Sequence, residues 1–171
     1  NSYGQTYVPA VATNVMAIAA GNNHCLALRV DGTVVGWGDN KQCQVLVPRG
    51  LGEVVAIAAA GDQSLALKAG GTIVTWGNDS TGELSVPAGL SNVVDIAMGD
   101  EIRYALKVDG TVFAWGNPLA VARVPADLSN VVQLATCPRQ SFGLLDDTRV
   151  RAWGYVDHPV DSISGVCSIA A

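Results

Sequence analysis

Short apolar runs separated by glycine and aspartate follow one another along the chain. Residues 54–59, 64–68 and 72–76 are examples, rich in alanine, valine, leucine and isoleucine. Runs of this length, with turn-forming residues at their ends, predict β-strands instead of helices. Asp-Gly pairs at residues 31–32 and 109–110 separate neighbouring runs and predict tight hairpins that need a positive φ. The chain is therefore predicted to be all-β.

The pattern recurs four times. DGTVVGWGDN at residues 31–40 returns as GGTIVTWGND at 70–79, DGTVFAWGNP at 109–118 and a diverged DTRVRAWGYV at 147–156. Two marker residues share the spacings 39, 39 and 38: Trp37, Trp76, Trp115 and Trp153, and Pro9, Pro48, Pro87 and Pro125. Two markers with one period identify an internal repeat. Full repeats are predicted at 14–52, 53–91 and 92–129, a degenerate repeat at 130–161, and partial repeats at 1–13 and 162–171.

Each repeat is predicted to form a small antiparallel sheet of three or four strands. The optional fourth strand is QVLVP at 44–48 or ELSVP at 83–87, whose final proline suits an edge strand because it cannot donate to a neighbouring ladder. A sheet with two apolar faces must be covered on both, and radial stacking of such sheets is the β-propeller solution. An open β-solenoid is the structural alternative. The four tryptophans are predicted to be packing anchors, one to a blade.

Several phrases carry a resemblance to a known family. VVAIAAAG at 54–61, SLALK at 64–68, GQTYVP at 4–9 and GELSVPAGL at 82–90 resemble repeats of the regulator-of-chromosome-condensation superfamily. The short period resembles, more narrowly, the branch that includes the β-lactamase-inhibitor propeller. This resemblance implies a seven-bladed ring closed by strands from both chain ends. Because 171 residues hold only about four blades, we expect a segment of a larger propeller or a ring completed by another chain.

Composition and charge narrow the functional classes. Apolar residues make up 49% of the chain, but aromatic residues only 6% and charged residues 15%. The net charge is −5, and the ten lysines and arginines are scattered singly. A nucleic-acid-binding surface would need clustered basic residues, so nucleic acid is not a predicted partner. The longest uncharged apolar run, residues 54–61, is far too short to span a bilayer.

No catalytic or metal-binding constellation is predicted. His24 and His158 are the only histidines, and neither has a nucleophile or ligand at a suitable spacing. The four cysteines form no CxxC motif, which argues against zinc, and a Cys137–Cys167 disulfide is left open. The Asp-Gly stretches lack the oxygen-ligand pattern of a calcium loop. We therefore predict a non-enzymatic protein without metal or cofactor. Asn78 begins a glycosylation acceptor motif in a predicted loop.

The loops before the SLALK-type strands vary while the strand phrases barely change. Variable loop tips on a constant scaffold are how a repeat protein presents a binding face. The alternative is that these tips vary because nothing constrains them. The candidate binding residues are Asn22, Asn23, His24, Asp62, Gln63, Asp100, Glu101, Ile102, Arg103, Arg139 and Gln140.

These observations predict a protein-interaction or scaffold module, extracellular or on a cell surface, whose partner is a protein or further propeller blades. One alternative, implied by the resemblance, is a protein inhibitor of an enzyme such as a β-lactamase. The candidate loops lack the aromatic anchors that a tight inhibitor would use. A further alternative, from the nuclear relatives, is guanine-nucleotide exchange. The acidic balance and the absence of a basic patch argue against it.

Overall fold

Twelve β-strands and one short helix form from the residues that the structure describes. This computed structural model describes residues 1–80, 82–121, 124–137, 140–154 and 165–169. The chain divides into two units, Asn1–Leu90 and Ser91–Ala171. Each unit contains two antiparallel sheets of three strands, which we call blades. The all-β prediction is confirmed, with the helix as a single turn.

The first unit holds blades 1 and 2. Their strands are β1 (Val15–Ala20), β2 (His24–Arg29) and β3 (Val34–Gly38), then β4 (Val54–Ala60), β5 (Gln63–Lys68) and β6 (Ile73–Gly77). The second unit holds blades 3 and 4. Their elements are β7 (Val93–Met98), β8 (Ile102–Lys107), β9 (Val112–Gly116) and helix α1 (Pro118–Val121), then β10 (Val131–Cys137), β11 (Gln140–Leu145) and β12 (Val150–Gly154).

Every blade has the same pairing register. The second strand lies in the centre and pairs with the first and third strands. The register shifts near the start of each first strand, as between Val15 and Ala17 or between Val93 and Asp95. The residue before that strand has positive φ in all four blades: Asn14, Glu53, Asn92 and Asn130. Asparagine tolerates this conformation better than most residues, which fits its presence in three of the four copies.

The predicted fourth strand is wrong for both 44–48 and 83–87, which are turns and irregular chain. Cys43 and Gly82 have positive φ and reverse the chain just before these segments. The side chains of Asn40 and Asp79 then accept hydrogen bonds from the N–H groups of Val45 (3.3 Å) and Leu84 (3.0 Å). Local side-chain bonds therefore replace a strand ladder here.

The predicted hairpins are present, and glycine supplies their positive φ. Gly32 and Gly110 have φ of 75° and 77°. A Cβ on Gly32 would lie 3.2 Å from the Cα of Glu53, so the next blade also needs this residue to be small. In blade 4 the same place is held by Thr148, at a φ of 68°. The diverged repeat thus keeps the turn with a residue poorly suited to it.

Each unit has its own apolar core between its two blades. In the first unit, β4 packs against β1 and β2, and the buried residues are Leu26, Leu28, Val54, Ala66 and Trp76. In the second unit, β10 packs against β7 and β8. Its buried residues include Tyr104, Leu106, Val131, Leu134 and Trp153. Within each unit, stacking of the two sheets thus buries the apolar side chains that lie between them.

Candidate interaction surface: the blade tips and the joints beneath them

The tip of a blade is the loop between its first and second strands. The structure describes three tips, at residues 21–23, 61–62 and 99–101. Arg139, in the fourth tip, lies outside the described residues. Among the candidate binding residues, the exposed ones are Asn22, Asp100 and Glu101, and the half-buried ones are Asn23, Asp62 and Gln140. These six form the accessible part of the predicted set.

The glycine of each Trp-Gly pair fixes the backbone of the tip. Gly77 has a φ of 111°, and a Cβ there would lie 2.4 Å from the carbonyl oxygen of Asp62. The N–H of Asn78 donates to that same oxygen at 3.0 Å. Gly38 and Gly116 make the equivalent close approach to tips 1 and 3. Only glycine fits this position, so the last carbonyl of each described tip is held in place while the tip side chains vary.

Four candidate binding residues are buried: His24, Gln63, Ile102 and Arg103. Their side chains are therefore not available for surface contact. The register explains Arg103, because it pairs with Trp115 exactly where Ser64 pairs with Trp76. Arg103 thus belongs to the row facing the tryptophan, and Ile102 occupies the position of His24. Alternation along the strand, counted from the tryptophan partner, would have shown this from the sequence.

A buried polar cluster lies beneath the tips of the first unit, and we call it the first joint. The indole N–H of Trp76 and the hydroxyl of Ser64 both donate to the carbonyl oxygen of Gln44, at 2.9 and 2.8 Å. The Nε2 atom of His24 lies 3.0 Å from the Ser64 hydroxyl oxygen. Two donors of blade 2 therefore share one backbone acceptor, which the segment after β3 supplies.

The second joint, in the second unit, has a different polar centre. The indole N–H of Trp153 and the hydroxyl of Ser141 both donate to the Tyr104 hydroxyl oxygen, at 3.0 and 2.9 Å. The rings of Tyr104 and Trp153 meet edge to face, with centroids 5.8 Å apart. Burial raises the pKa of the Tyr104 phenol, which keeps it protonated at neutral pH.

Blade 1 exposes an apolar face that its counterpart in blade 2 buries. Val54 on β4 is 3% exposed, whereas its equivalent Val15 is 38% exposed. Ile18, the equivalent of half-buried Ile57, is 78% exposed. A groove of about 510 Å³ runs over this face, lined by Val8, Ala12, Val15, Ile18, Ala19, Ala20, Cys25, Ala27 and Trp37.

Neither a disulfide nor a metal-binding group is found among the described residues. All four cysteines, including Cys137 and Cys167, are free thiols. The described residues contain no group of three or more histidine, cysteine or acidic side chains placed to hold a metal ion. The side-chain oxygen of Asn78 accepts the N–H of Ser80 at 2.9 Å in a surface turn. No helix among the described residues is long and apolar enough to cross a membrane.

Comparisons with known proteins agree with this architecture. The family model of the regulator of chromosome condensation (RCC1) repeat matches residues 16–43. No curated protein sequence matches the chain. The ectodomain of the Physcomitrella patens receptor kinase CR4 is similar over 96% of this chain and 47% of that one, with 26% identity and a TM-score of 0.77.

Two further solved structures share the fold. Yeast RCC1 (Prp20), solved with Kap60 bound, is similar over 93% of this chain and 49% of that one, with 20% identity and a TM-score of 0.72. The computationally designed Ika4 protein is similar over 82% and 90%, with 23% identity and a TM-score of 0.54. The chain thus spans about half the length of the first two structures. Residues 16–43 thus match an RCC1 repeat, and the similar structures show that the chain has a β-propeller fold.

Proposed function

We propose that this chain is a non-enzymatic protein-interaction module that binds a protein partner through its blade tips. The observation that carries the proposal is the contrast between a fixed tip backbone and varied tip side chains. The Trp-Gly glycines hold each described tip in place, yet the exposed side chains are neutral in tip 1 (Asn22) and acidic in tip 3 (Asp100 and Glu101).

The charge of the described tips points to a basic partner surface. Asp62, Asp100 and Glu101 are accessible there, and no lysine or arginine lies in the three described tips. Complementary charge steers association and selects partners more than it adds affinity. The similarity to yeast RCC1, which was solved with the protein Kap60 bound, supports a protein as the ligand class. The receptor ectodomain among the similar structures supports an extracellular or cell-surface location.

Two charge-matched variants test the proposal by affinity capture followed by binding measurements on the captured protein. The tip variant carries Asp62→Asn, Asp100→Asn and Glu101→Gln. The control removes the same charge at the opposite ends of the blades, with Asp31→Asn, Glu53→Gln and Asp109→Asn. We expect the tip variant to lose partner binding at least tenfold at low salt while the control keeps it. Equal binding by the two variants would contradict the assignment to the tips.

A second candidate function is the docking of further propeller blades onto the exposed face of blade 1. The 510 Å³ apolar groove favours it, because the equivalent face of blade 2 is covered by Leu26 and Leu28 of blade 1. Continuous exposed apolar patches commonly mark interfaces. The covering blade could come from the same protein or from another chain. Enzyme inhibition and nucleotide exchange stay predictions from resemblance alone.

Light scattering on a sizing column tests the docking of another chain. We expect the chain to form a discrete dimer or larger ring that Ile18→Arg dissociates. Val108→Arg is the control, because Val108 is similarly exposed, at 70%, but lies on a hairpin of the second unit. A monomeric chain, unaffected by either substitution, would rule out completion by a second copy.

A further inference from the structure

His24 occupies an unusual place for an ionisable side chain. It is 1% exposed at the first joint, where its Nε2 atom lies 3.0 Å from the Ser64 hydroxyl oxygen. Its Nδ1 atom is buried and has no hydrogen bond of good geometry to any residue in the described ranges. A Cβ on Gly21 would lie 2.6 Å from that Nδ1 atom, so the ring is packed tightly against the tip.

The equivalent positions in the other blades do not titrate near neutral pH. They hold Gln63, Ile102 and Gln140. Histidine is the side chain whose ordinary pKa, about 6.5, falls within the physiological range. His24 is therefore the one blade residue at this position whose charge can change between neutral and mildly acidic pH.

Opposing influences act on the charge of His24. Two carboxylates face the ring: Asp62 on the tip of blade 2 and Asp39 after β3. They and the backbone of Gln63 favour the protonated ring. Loss of hydration on burial is the larger effect, and it lowers the pKa of His24 below its ordinary value. The ring is thus neutral at pH 7.

We propose that His24 is an acid-sensitive element that holds blades 1 and 2 together when neutral and loosens their joint when protonated. A protonated ring carries N–H groups on both nitrogens. The Gln63 backbone is an acceptor that favours the charged ring, but it makes no well-aligned bond with Nδ1, so the Nδ1–H would be buried without a good partner. Such a donor is costly to bury. The joint can relieve the cost by opening, which would hydrate the ring and release the tips that flank it. This inference concerns the joint and does not depend on which partner the tips bind.

The direction of the pH effect follows from proton linkage. Because the pKa of His24 is lower in the folded than in the unfolded chain, the unfolded chain binds the proton more readily. The contribution of His24 to stability is therefore complete above about pH 6.5, falls as the pH drops below that value, and stops falling below the folded pKa. Each unit of pKa depression corresponds to a roughly tenfold change in the unfolding equilibrium constant.

His24→Gln is the matched test, because the equivalent positions in blades 2 and 4 carry glutamine. Unfolding of both proteins would be followed by tryptophan fluorescence between about pH 7.5 and about pH 5.5, which brackets the ordinary histidine pKa. Trp76 reports on the first joint directly, since it shares the Gln44 acceptor with Ser64. We expect acidification to raise the unfolding equilibrium constant of the wild type several-fold more than that of His24→Gln.

A measurement on the unaltered joint keeps the test valid should His24→Gln fail to fold. In a His158→Gln protein, His24 is the sole histidine, and its ring proton signals can be titrated by NMR. We expect a pKa below 6.5 and, on protonation, faster amide exchange in residues 21–24 and 61–64 than in blade 4. A pKa at or above 6.5, or protonation without faster exchange, would overturn the proposal.

Discussion

The two joints solve one packing problem with different polar centres. In both, a buried tryptophan and a serine facing it donate to a shared oxygen. In the first unit that oxygen is the backbone carbonyl of Gln44, whereas in the second it is the hydroxyl of Tyr104. Tyr104 stands where blades 1 and 2 have Leu26 and Leu65.

The change in acceptor accompanies a change in the segment that follows each tryptophan. In blade 1, this segment reaches Pro48 eleven residues after Trp37 and supplies the Gln44 carbonyl. In blade 3, Pro125 follows Trp115 after only ten residues, and the segment contains helix α1. We conclude that the apolar frame of the joint is fixed but its hydrogen-bond acceptor is replaceable. Most buried donors in proteins have a partner, and at the second joint the longer side chain of Tyr104 supplies it.

The first strands show the same contrast. The second unit has polar side chains at one first-strand position: Asp95 of blade 3 accepts the N–H of Leu134 of blade 4, and Gln133 of blade 4 accepts the N–H of Ile169 at 3.1 Å. The first unit has Ala17 and Ala56 at this position. Small apolar side chains pack there without any hydrogen bond. At this position the second unit therefore uses side-chain hydrogen bonds where the first unit has small apolar side chains.

Substituting the tip-fixing glycine should have the largest effect, because both units share it. Gly77→Ala and Gly116→Ala each place a Cβ within 2.5 Å of a tip carbonyl at a φ that disfavours alanine. We expect each to lower the free energy of unfolding by about 3 kcal/mol. Gly70→Ala is the control, since a Cβ there meets nothing within 4 Å. Chemical denaturation would measure the free energy of unfolding of all three variants. Equal losses in the three would show that the glycine of the Trp-Gly pair does not fix the tip.

Removing the Tyr104 hydroxyl should have the next largest effect and should separate the two joints. Tyr104→Phe leaves the Trp153 and Ser141 donors buried without an acceptor. We expect a loss of about 1–3 kcal/mol in the free energy of unfolding. Tyr7→Phe, at a position that is 76% exposed, should change it by less than about 0.5 kcal/mol. A Tyr104→Phe protein as stable as the wild type would show that the hydroxyl is not the centre of the joint.

The smallest expected effect is a gain in stability in blade 4. Thr148 has a φ of 68°, where a β-branched residue is strained. Thr148→Gly should raise the free energy of unfolding by about 0.5–1 kcal/mol. The loss of the long hydrogen bond that the N–H of Gly165 donates to the Thr148 hydroxyl should reduce this gain. The reciprocal change, Gly110→Thr, should destabilise blade 3. Thermal unfolding of both variants tests this pair of predictions. Thr148→Gly should be more stable than the wild type and Gly110→Thr less stable, and changes of the same sign would contradict the explanation.

Much of this fold can be predicted from the sequence because the same strand pattern occurs in each repeat. The runs predicted at 54–59, 64–68 and 72–76 correspond to β4, β5 and β6, the repeat carries this pattern to the other blades, and the Asp-Gly pairs located the hairpins of blades 1 and 3. The fourth strand was mispredicted because the side-chain bonds of Asn40 and Asp79 override the strand propensity of the residues after them. Local polar competition of this kind is hard to read from an apolar pattern.

The candidate site was harder to predict than the fold. Loop boundaries alone did not show that His24 and Arg103 point inward. The replacement of the Gln44 carbonyl by the Tyr104 hydroxyl was likewise not predicted from the strand pattern, since it depends on three-dimensional contact between blades. The single-residue difference in spacing before Pro125 was the one available signal for it.

Trp76 and Trp153 each close the joint of their unit through the indole N–H, with an acceptor that differs between the two units. NMR spectra of the indole N–H groups in the wild type and in Tyr104→Phe test this central claim most directly. We expect the substitution to shift the Trp153 signal and to speed its exchange with water, while the signal of Trp76, whose indole N–H donates to Gln44, stays in place. An unchanged Trp153 signal, or equal changes in both signals, would contradict it.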